Sequence, residues 1–326
     1  MSYLWSDWYR NSARRACRYA LAVLGFILLA TFRSSAHACA CGCGVFEVGT
    51  SSLFPQGAGG TAWIEYDYMD QYLNWHAAHI ASAANNNDKV LRTNFTTVGL
   101  QYMFNRNWGA MIQIPYWQRF YRGAYTGDNA NFQSYNWNSI GDIRIEGMYT
   151  GFSEDMSTGL VGGLKVPSGW YTYPHVDRDN QIGTGSTDLL FGAYHLGNLP
   201  FSLLERPLNW YVQGSYDLPV FTQDHYKPGR EFDGALGLIY NWGQIGFLKE
   251  FAPLVSLVAS DRARDSQSQA DPTNTGYSRL LIAPGVETKI GIIRWYTDVG
   301  IPVFQNMNGN QITAPYLLKT VLSYDF

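Results

Sequence analysis

From about residue 61 to the C-terminus, the chain repeats a unit of roughly ten residues in which apolar side chains alternate with polar or very small ones. Across residues 138–150, for example, Ile143 and Ile145 fall on one face, whereas Arg144 and Glu146 fall on the other. Because successive side chains of a β-strand point to opposite sides, this period of two predicts strands. We predict about twelve strands, centred near residues 66, 99, 113, 145, 162, 190, 213, 236, 257, 283, 298 and 320.

The connections between these predicted strands alternate in length. A β-sandwich would also show alternating faces, but it gives no reason for alternating long and short connections. An even number of strands with long outer loops, short inner turns and both termini in the periplasm is typical of an outer-membrane β-barrel. The sequence therefore predicts an all-β fold, a transmembrane antiparallel β-barrel of about 12 strands over residues 61–326. The long loops are predicted near 73–91, 122–137, 170–185, 219–230, 262–275 and 305–313.

Composition excludes several other classes of protein. Only 15% of the residues are charged, compared with about 25% in typical soluble domains, and 16% are aromatic. A mean hydropathy of -0.19 is too polar for a bundle of membrane helices, and no apolar run reaches the roughly 18 residues of a spanning helix. A net charge of -3 without basic clusters gives no electrostatic basis for binding nucleic acid.

The N-terminus has the pattern of a secretory signal peptide. Several arginines precede the apolar run YALAVLGFILLA at 19–30, and AHA at 36–38 offers small residues for cleavage after residue 38. A membrane anchor is the alternative, but twelve helical residues span only about 18 Å of a core about 30 Å thick. We predict a signal peptide over 1–38 and a Cys-rich periplasmic segment over 39–60, which stays in the periplasm or folds into the barrel mouth as a plug.

The last strand carries a second signal. Leu318, Leu322, Tyr324 and the terminal Phe326 lie on one face of an alternating segment that reaches the end of the chain. This arrangement resembles the C-terminal strand signal that the barrel-assembly machinery recognises in its bacterial clients. We therefore expect the barrel-assembly machinery, through Phe326, and outer-membrane lipid as partners, with both termini in the periplasm.

Several strand and turn phrases resemble one family. GDI at 141–143, GLKVPSG at 163–169 and GTGSTD at 183–188 are similar to segments of the outer-membrane transporter family named for the meta-pathway of phenol degradation, as are APG at 283–285 and IPV at 301–303. The likeness covers most of residues 60–326, and none of the phrases is catalytic. The resemblance implies a barrel that passes small aromatic or other hydrophobic compounds.

If the large apolar side chains face lipid, the opposite face of each strand lines the lumen. That face collects eight acidic and four basic residues, and an acidic lumen favours cations and neutral solutes over anions. The alternative is that these charges pair across the barrel and fill it, since twelve strands lie between filled eight-stranded barrels and open porins of about 16–18 strands. The candidate lumen-lining residues are Glu65, Asp67, Asp142, Arg144, Glu146, Lys165, Asp188, Asp233, Arg279, Glu287, Arg294 and Asp298.

Aromatic residues near the strand ends have the amphipathic rings that suit a membrane interface. The residues expected to belong to interfacial girdles include Trp63, Tyr102, Trp108, Tyr116, Trp117, Trp210, Tyr216 and Tyr240. They need no ligand for that role.

Cys39, Cys41 and Cys43 form an unusual cluster at the predicted mature N-terminus. Thiolates bind soft metal ions, so the cluster is a candidate metal site, although three ligands lack a fourth. Lipidation of Cys39, intermolecular disulfides and the absence of any role remain alternatives, and a Cys-x-Cys bridge would be strained. No other cofactor is required by the sequence.

The sequence does not indicate an enzyme. His175 and His225 lie in predicted outer loops near acidic residues, and Ser168 is close in sequence to His175, but no nucleophile motif surrounds them. The leading hypothesis is a passive channel for small solutes. The alternative is a largely closed scaffold whose Cys-rich N-terminus binds a metal or a redox partner.

Overall fold

The computed structural model describes residues 48, 50, 53–55, 57–124 and 132–326. Within these residues, almost all regular structure is β-strand, with single-turn 3-10 helices at Ala83–Asn85 and Arg178–Asn180. The strands are β1 (Gly59–Gln71), β2 (Leu73–Ala77), β3 (His79–Ile80), β4 (Asp88–Met103), β5 (Trp108–Gly123), β6 (Gln133–Ile140), β7 (Ile143–Tyr149), β8 (Thr158–Val166), β9 (Ser186–Leu203), β10 (Arg206–Thr222), β11 (Glu231–Tyr240), β12 (Gly243–Ile245), β13 (Leu248–Arg262), β14 (Tyr277–Ile290), β15 (Ile293–Thr313) and β16 (Leu317–Asp325).

The strands form one antiparallel sheet that closes on itself. β6 and β7 both pair with β5 and act as one strand of the wall, whereas β2, β3 and β12 are short additions at its ends. The wall therefore has twelve strands. Closure comes from β1 and β16, which pair from Thr61↔Asp325 to Met69↔Leu317. The predicted twelve-stranded barrel is confirmed, and each predicted strand centre lies in a separate wall strand.

Short connections at one end of the barrel alternate with longer ones at the other. The inner turns are 104–107, 150–157, 204–205, 241–247 and 291–292. Four of the predicted long outer loops match the connections at 72–87, 167–185, 223–230 and 263–276, although β2 and β3 form a hairpin within the first. Most of the connection within the predicted loop 122–137 lies outside the described residues, and β5 and β6 extend into the two ends of that range.

The sixth predicted long loop, 305–313, is wrong. These residues continue β15, which is 21 residues long, and the connection to β16 is only 314–316. The segment was assigned as a loop because it is polar, but its end pairs with β2, as in Gln311↔Trp75. Gly309 has a φ of +55° and lies where the register shifts between Met307 and Asn310, so the left-handed conformation that glycine tolerates accommodates the irregularity.

The outer face of the wall is apolar and exposed. A soluble protein rarely leaves so large an apolar surface uncovered, whereas a lipid-facing barrel requires it. The described residues contain no helix that is long and apolar enough to cross a membrane. The exposed apolar side chains of the wall include Ile64, Val98, Leu100, Ile114, Ile145, Leu160, Leu164, Phe191, Val212, Phe232, Leu236, Leu238, Val255, Leu257, Ile282, Val299, Ile301 and Leu322.

Of the aromatic residues expected at the membrane interface, two lie inside the barrel instead. Tyr102, Trp108 and Tyr116 are exposed on the outer face, as expected for a girdle. Trp63 is buried against Tyr296 and Val321 among others, and Trp117 packs against buried Phe95. Side chains alternate between the two faces of a strand, and both tryptophans occupy positions that point into the barrel. The prediction that they belong to a girdle is therefore wrong.

Trp63 illustrates how the inner wall is packed. It is the cross-strand partner of Gly99, and its indole ring lies over that glycine. A Cβ atom at residue 99 would lie 2.0 Å from Trp63 Cζ2. The absence of a side chain at Gly99 therefore makes the space that the tryptophan occupies.

We predict that Gly99→Ala destabilises the barrel by about 1–3 kcal/mol, because the buried indole has to leave a well-packed site. Gly162→Ala is the matched control, since Gly162 faces outward and its added Cβ would meet no atom closer than 3.9 Å. Urea unfolding of both variants in detergent micelles measures the difference. Equal stability of the two variants would contradict this account of the inner packing.

Candidate functional site

Several of the described residues of the N-terminal segment lie inside the barrel. Val48, Thr50 and Phe54 are buried, and Val48 and Phe54 belong to the interior apolar cluster. Lys319 Nζ on β16 donates hydrogen bonds to Val48 O at 3.1 Å and to Thr50 Oγ1 at 3.0 Å. Lys319 also lies 3.9 Å from Glu65 Oε1. A charged side chain of the wall thus anchors the segment in the interior.

Phe54 is held between two tyrosines of the wall. Its ring stacks on Tyr194 with centroids 4.6 Å apart, and it meets Tyr211 edge-on at 5.9 Å. Tyr194 Oη donates to Met156 O at 3.2 Å, and Tyr211 Oη lies 2.7 Å from Ser256 Oγ. Because hydrogen bonds fix both tyrosines, they form a rigid aromatic layer around Phe54.

Two of the cavities lie towards opposite ends of the barrel and share no lining residue, whereas a third, of about 520 Å³, shares Gln113 and Arg144 with one of them and reaches Tyr194. The outer cavity has a volume of about 1090 Å³ and is bordered by the loops 167–185 and 223–230. The second cavity, at the end of the barrel with the short turns, is called the inner cavity; its volume is about 740 Å³ and it is lined by Phe54, Arg294 and Phe326, among others. Phe54 and its tyrosines therefore constrict the interior at the deep end of the inner cavity.

An ion-pair network crosses one wall of the outer cavity. Lys165 Nζ lies 2.5 Å from Asp188 Oδ2 and 2.7 Å from Asp217 Oδ2. Arg144 Nη2 lies 3.4 Å from the same Asp217 oxygen. The network joins β7, β8, β9 and β10. Moving one of these side chains away would leave a buried charge without a partner, which is energetically costly. The ion pairs therefore hold the side chains in place.

The twelve candidate lumen residues fall into separate groups in the structure. Arg144, Lys165 and Asp188 meet in the network just described. Glu287 and Asp325 flank Arg294 at 3.6 and 3.3 Å near the end with the short turns. Contact with solutes stays a prediction for all twelve. The others are Glu65 and Asp67 beside the outer cavity, Asp142 at its rim, Glu146 bonded to Gln113, Asp298 bonded to Tyr296, and the buried Asp233 and Arg279.

Sequence reasoning missed several inner-face charges that prove central to the geometry. Asp217 joins the ion-pair network, Lys319 anchors the N-terminal segment, and Arg119 holds an outer loop. Lys319 and Asp217 have the same alternating pattern as the residues that were identified, so the parity of their strands could have indicated them. Which charges they meet depends on the register of neighbouring strands.

The outer loop 167–185 folds inward over the outer cavity. Both oxygens of Asp142 serve this loop: Oδ1 accepts from Gly169 N at 3.0 Å, and Oδ2 accepts from Thr184 N at 2.8 Å. Arg119 Nη1 donates to Asn180 O at 2.7 Å and to Gln181 O at 2.6 Å. The loop is therefore a fixed roof that narrows access from outside.

Comparisons with known proteins agree with this architecture. No family model and no curated protein matches the chain. The structure is similar to that of an outer membrane channel from Pseudomonas putida F1, with a TM-score of 0.58 and 13% identity over 86% of this chain and 100% of that one. The chain has the fold of an outer-membrane β-barrel.

Two further barrels are less similar. The β domain of the Bordetella autotransporter BrkA has a TM-score of 0.45 and 14% identity over 82% of this chain and 100% of its own. The CymD monoaromatic hydrocarbon channel has a TM-score of 0.40 and 10% identity over 89% of this chain and 94% of its own. Of the three, only the Pseudomonas putida structure has a TM-score above 0.5, and its likeness concerns the fold of the barrel.

The residues weighed for catalysis have structural contacts in the barrel. Ser168 Oγ donates to Gly141 O at 2.8 Å and accepts from Ile143 N at 2.9 Å. His175 stacks on Tyr135 with ring centroids 5.8 Å apart. Across the described ranges, no three His, Cys, Asp or Glu side chains are grouped to hold a metal ion. The candidate metal ligands Cys39, Cys41 and Cys43 lie outside the described residues.

Carboxylates from three outer segments approach one another at the rim. Asp177 of the roof loop lies near Asp88 and Asp271, and Asp88 accepts hydrogen bonds from Tyr121 Oη at 2.6 Å and Asn180 Nδ2 at 3.1 Å. Desolvation among the loops, followed by the charges of Asp88 and Asp271, raises the pKa of Asp177 to about 6, although its side chain reaches solvent. The folded roof loop therefore favours the protonated form.

We predict that the roof loop is more stable at pH 5 than at pH 7. Asp177 has a pKa of about 6 in the folded loop and about 3.9 in an open one, so the proton bound on closure stabilises the loop at low pH. That stabilisation is full below about pH 4 and is lost as the pH rises through about 6. Hydrogen exchange of amides 173–183, corrected for the intrinsic effect of pH, measures it.

Asp177→Asn should reduce this pH dependence, whereas Glu154→Gln, which removes an exposed carboxylate from an inner turn, should leave it unchanged. Protection that is equal at both pH values, or higher at pH 7, would contradict the assignment.

Proposed function

We propose that the protein is an outer-membrane channel for the passive passage of small solutes. The observation that carries the proposal is the pair of interior cavities, one at each end of a closed barrel, with the aromatic layer around Phe54 between them. A protein that served only as a membrane scaffold would have no need of cavities at both ends. The solute gradient is the driving force.

The proposed location is the bacterial outer membrane, with both termini in the periplasm. The barrel fold and its exposed apolar exterior support a location in the outer membrane. The first wall strand begins, and the last residue lies, at the end of the barrel that carries the short turns. There Gly60 and Phe326 exchange backbone hydrogen bonds of 2.8 Å. In barrels of this type, the short turns are periplasmic.

The solute class rests on the resemblance of the strand and turn phrases, such as GLKVPSG at 163–169, to the outer-membrane transporter family named for the meta-pathway of phenol degradation. That resemblance favours small aromatic or hydrophobic compounds. The rings of Phe95, Trp117 and Tyr226 in the lining of the outer cavity are compatible with such solutes.

We predict that Phe54 limits transport. In planar lipid bilayers, the purified protein should give small stepwise currents, and Phe54→Ala should increase the conductance several-fold because it removes the ring clamped between Tyr194 and Tyr211. Phe221→Ala is the matched control, because Phe221 is exposed on the outer face. The conductance of this variant should equal that of the wild type. Folded wild-type and Phe54→Ala proteins that are both electrically silent would refute the channel.

For the N-terminal cysteines, we propose a subsidiary role in binding a soft metal ion through Cys39, Cys41 and Cys43, since thiolates are its preferred ligands. Metal analysis of the purified protein should find bound copper or zinc that disappears when all three residues are replaced by Ser. A metal content that is unaffected by the replacement would contradict this role. We propose no enzymatic activity.

A further inference from the structure

The basic side chains of the outer cavity are already engaged by the protein. Lys165 and Arg144 are paired with Asp217, and Lys165 also with Asp188. Arg262 Nη2 lies 2.9 Å from Asp265 Oδ1. The guanidinium of Arg178 donates to the backbone oxygens of Tyr171 and Thr184. These four are all the basic residues in the lining, so the cavity offers little positive charge to a ligand.

The acidic side chains of the same cavity are more numerous, and several retain unused acceptors. Seven carboxylates line the cavity, against four basic groups. Asp67 is only 2% exposed, and within the described part of the chain its Oδ1 has no hydrogen-bond donor. The same holds for Oδ1 of Asp188 and of Asp217. A carboxylate accepts about four hydrogen bonds, so a ligand that donates N–H groups would satisfy oxygens that the protein leaves open.

The surroundings of Asp67 are more acidic than those of the Lys165 network. Glu65 and Asp298 share the inner face with it, and Lys319 is the cation nearest to this group. Lys319 directs hydrogen bonds to Val48 and Thr50 in the N-terminal segment. Three carboxyl groups thus share one lysine, and a cation bound beside Asp67 would stabilise their ionised forms and be held by them.

Aromatic rings lie beside this acidic wall. Asp67 is the cross-strand partner of Phe95, and Phe95 is the cross-strand partner of Trp117. The two rings are perpendicular, with centroids 4.8 Å apart. All three residues line the outer cavity. A carboxylate next to aromatic rings is the arrangement that recognises organic ammonium groups, because charge pairing and cation–π attraction act together.

We propose that the outer cavity binds small organic cations, in which a protonated amine carried on an aromatic or other apolar body pairs with Asp67 and the body packs against Phe95 and Trp117. The inference rests on the proposed channel function and names the solutes that this channel prefers. The cavity holds about 1090 Å³ of empty space, a figure that includes the solvent at its mouth. The roof loop limits their size.

The test compares three probes of similar shape and different charge: phenethylamine, 2-phenylethanol and 3-phenylpropionate. Isothermal titration of the full-length protein in detergent micelles should give an affinity for the amine at least about tenfold above that for the alcohol, with the carboxylate weakest. Equal affinities for the amine and the alcohol would overturn the site, whatever the behaviour of any variant.

Two variants then locate the interaction. Asp67→Asn should weaken amine binding about tenfold or more while leaving alcohol binding within about twofold. Asp70→Asn is the matched control: it removes the same charge from the same strand but on the outer face, where Asp70 pairs with Arg92 at 2.9 Å, and amine binding should not change. Equal losses in the two variants would show a general effect of charge and overturn the site.

A third variant and a parallel recording separate the two proposals. Trp117→Leu should weaken amine binding about threefold or more and thus tests the site if Asp67→Asn does not fold. Folding is checked by heat-modifiable gel mobility, and conductance is measured on the same preparations. Ion currents without amine preference would overturn the cation site and leave the channel intact. If the protein prefers the amine but neither the wild type nor Phe54→Ala conducts ions, the channel would be overturned and the cation site would stand.

Discussion

The pairing of β1 with β16 is the interaction on which the rest of the structure depends. In hydrocarbon no water is present to satisfy backbone N–H and C=O groups, so a sheet survives there only if it has no open edge. The register from Thr61↔Asp325 to Met69↔Leu317 removes both edges at once. It also joins the N-terminal strand to the C-terminal one, so the membrane-spanning sheet is complete only when the last residues of the chain are in place.

Closure creates an interior that the chain then has to fill. Twelve strands enclose more space than eight, whose side chains fill a barrel by themselves. The described residues supply three kinds of filling: aromatic rings over glycines such as Gly99, the loop 167–185 from the outside, and the segment around Phe54 from the other end. What remains are two cavities with different chemistry. The outer one is acidic and has aromatic rings in its lining, and the inner one is bounded by Arg294 and Phe326.

The charges inside the barrel divide into two classes with different consequences. The pairs of Lys165 with Asp188 and Asp217 join neighbouring strands and are compensated by one another. Asp67 has an unused oxygen beside aromatic rings, so it is the carboxylate whose electrostatics favour an incoming cation. The same fold thus uses buried charge both to brace the wall and, in our proposal, to select a solute. Twelve inner-face charges were identified from parity, but parity cannot distinguish these two uses.

The sequence by itself determined the class of fold and the number of strands, because both follow from a local alternation of period two. The sequence-based prediction failed at 305–313, where a polar segment that looks like a loop is a strand paired with β2. It also failed at Trp63 and Trp117, because their positions in the strand alternation point them into the barrel despite the usual preference of tryptophan for the membrane interface. Only the tertiary structure decided which charges meet, that Phe54 lies between Tyr194 and Tyr211, and that loop 167–185 covers the outer cavity. These features depend on register and on contacts between residues far apart in the chain, and no local pattern encodes such distances.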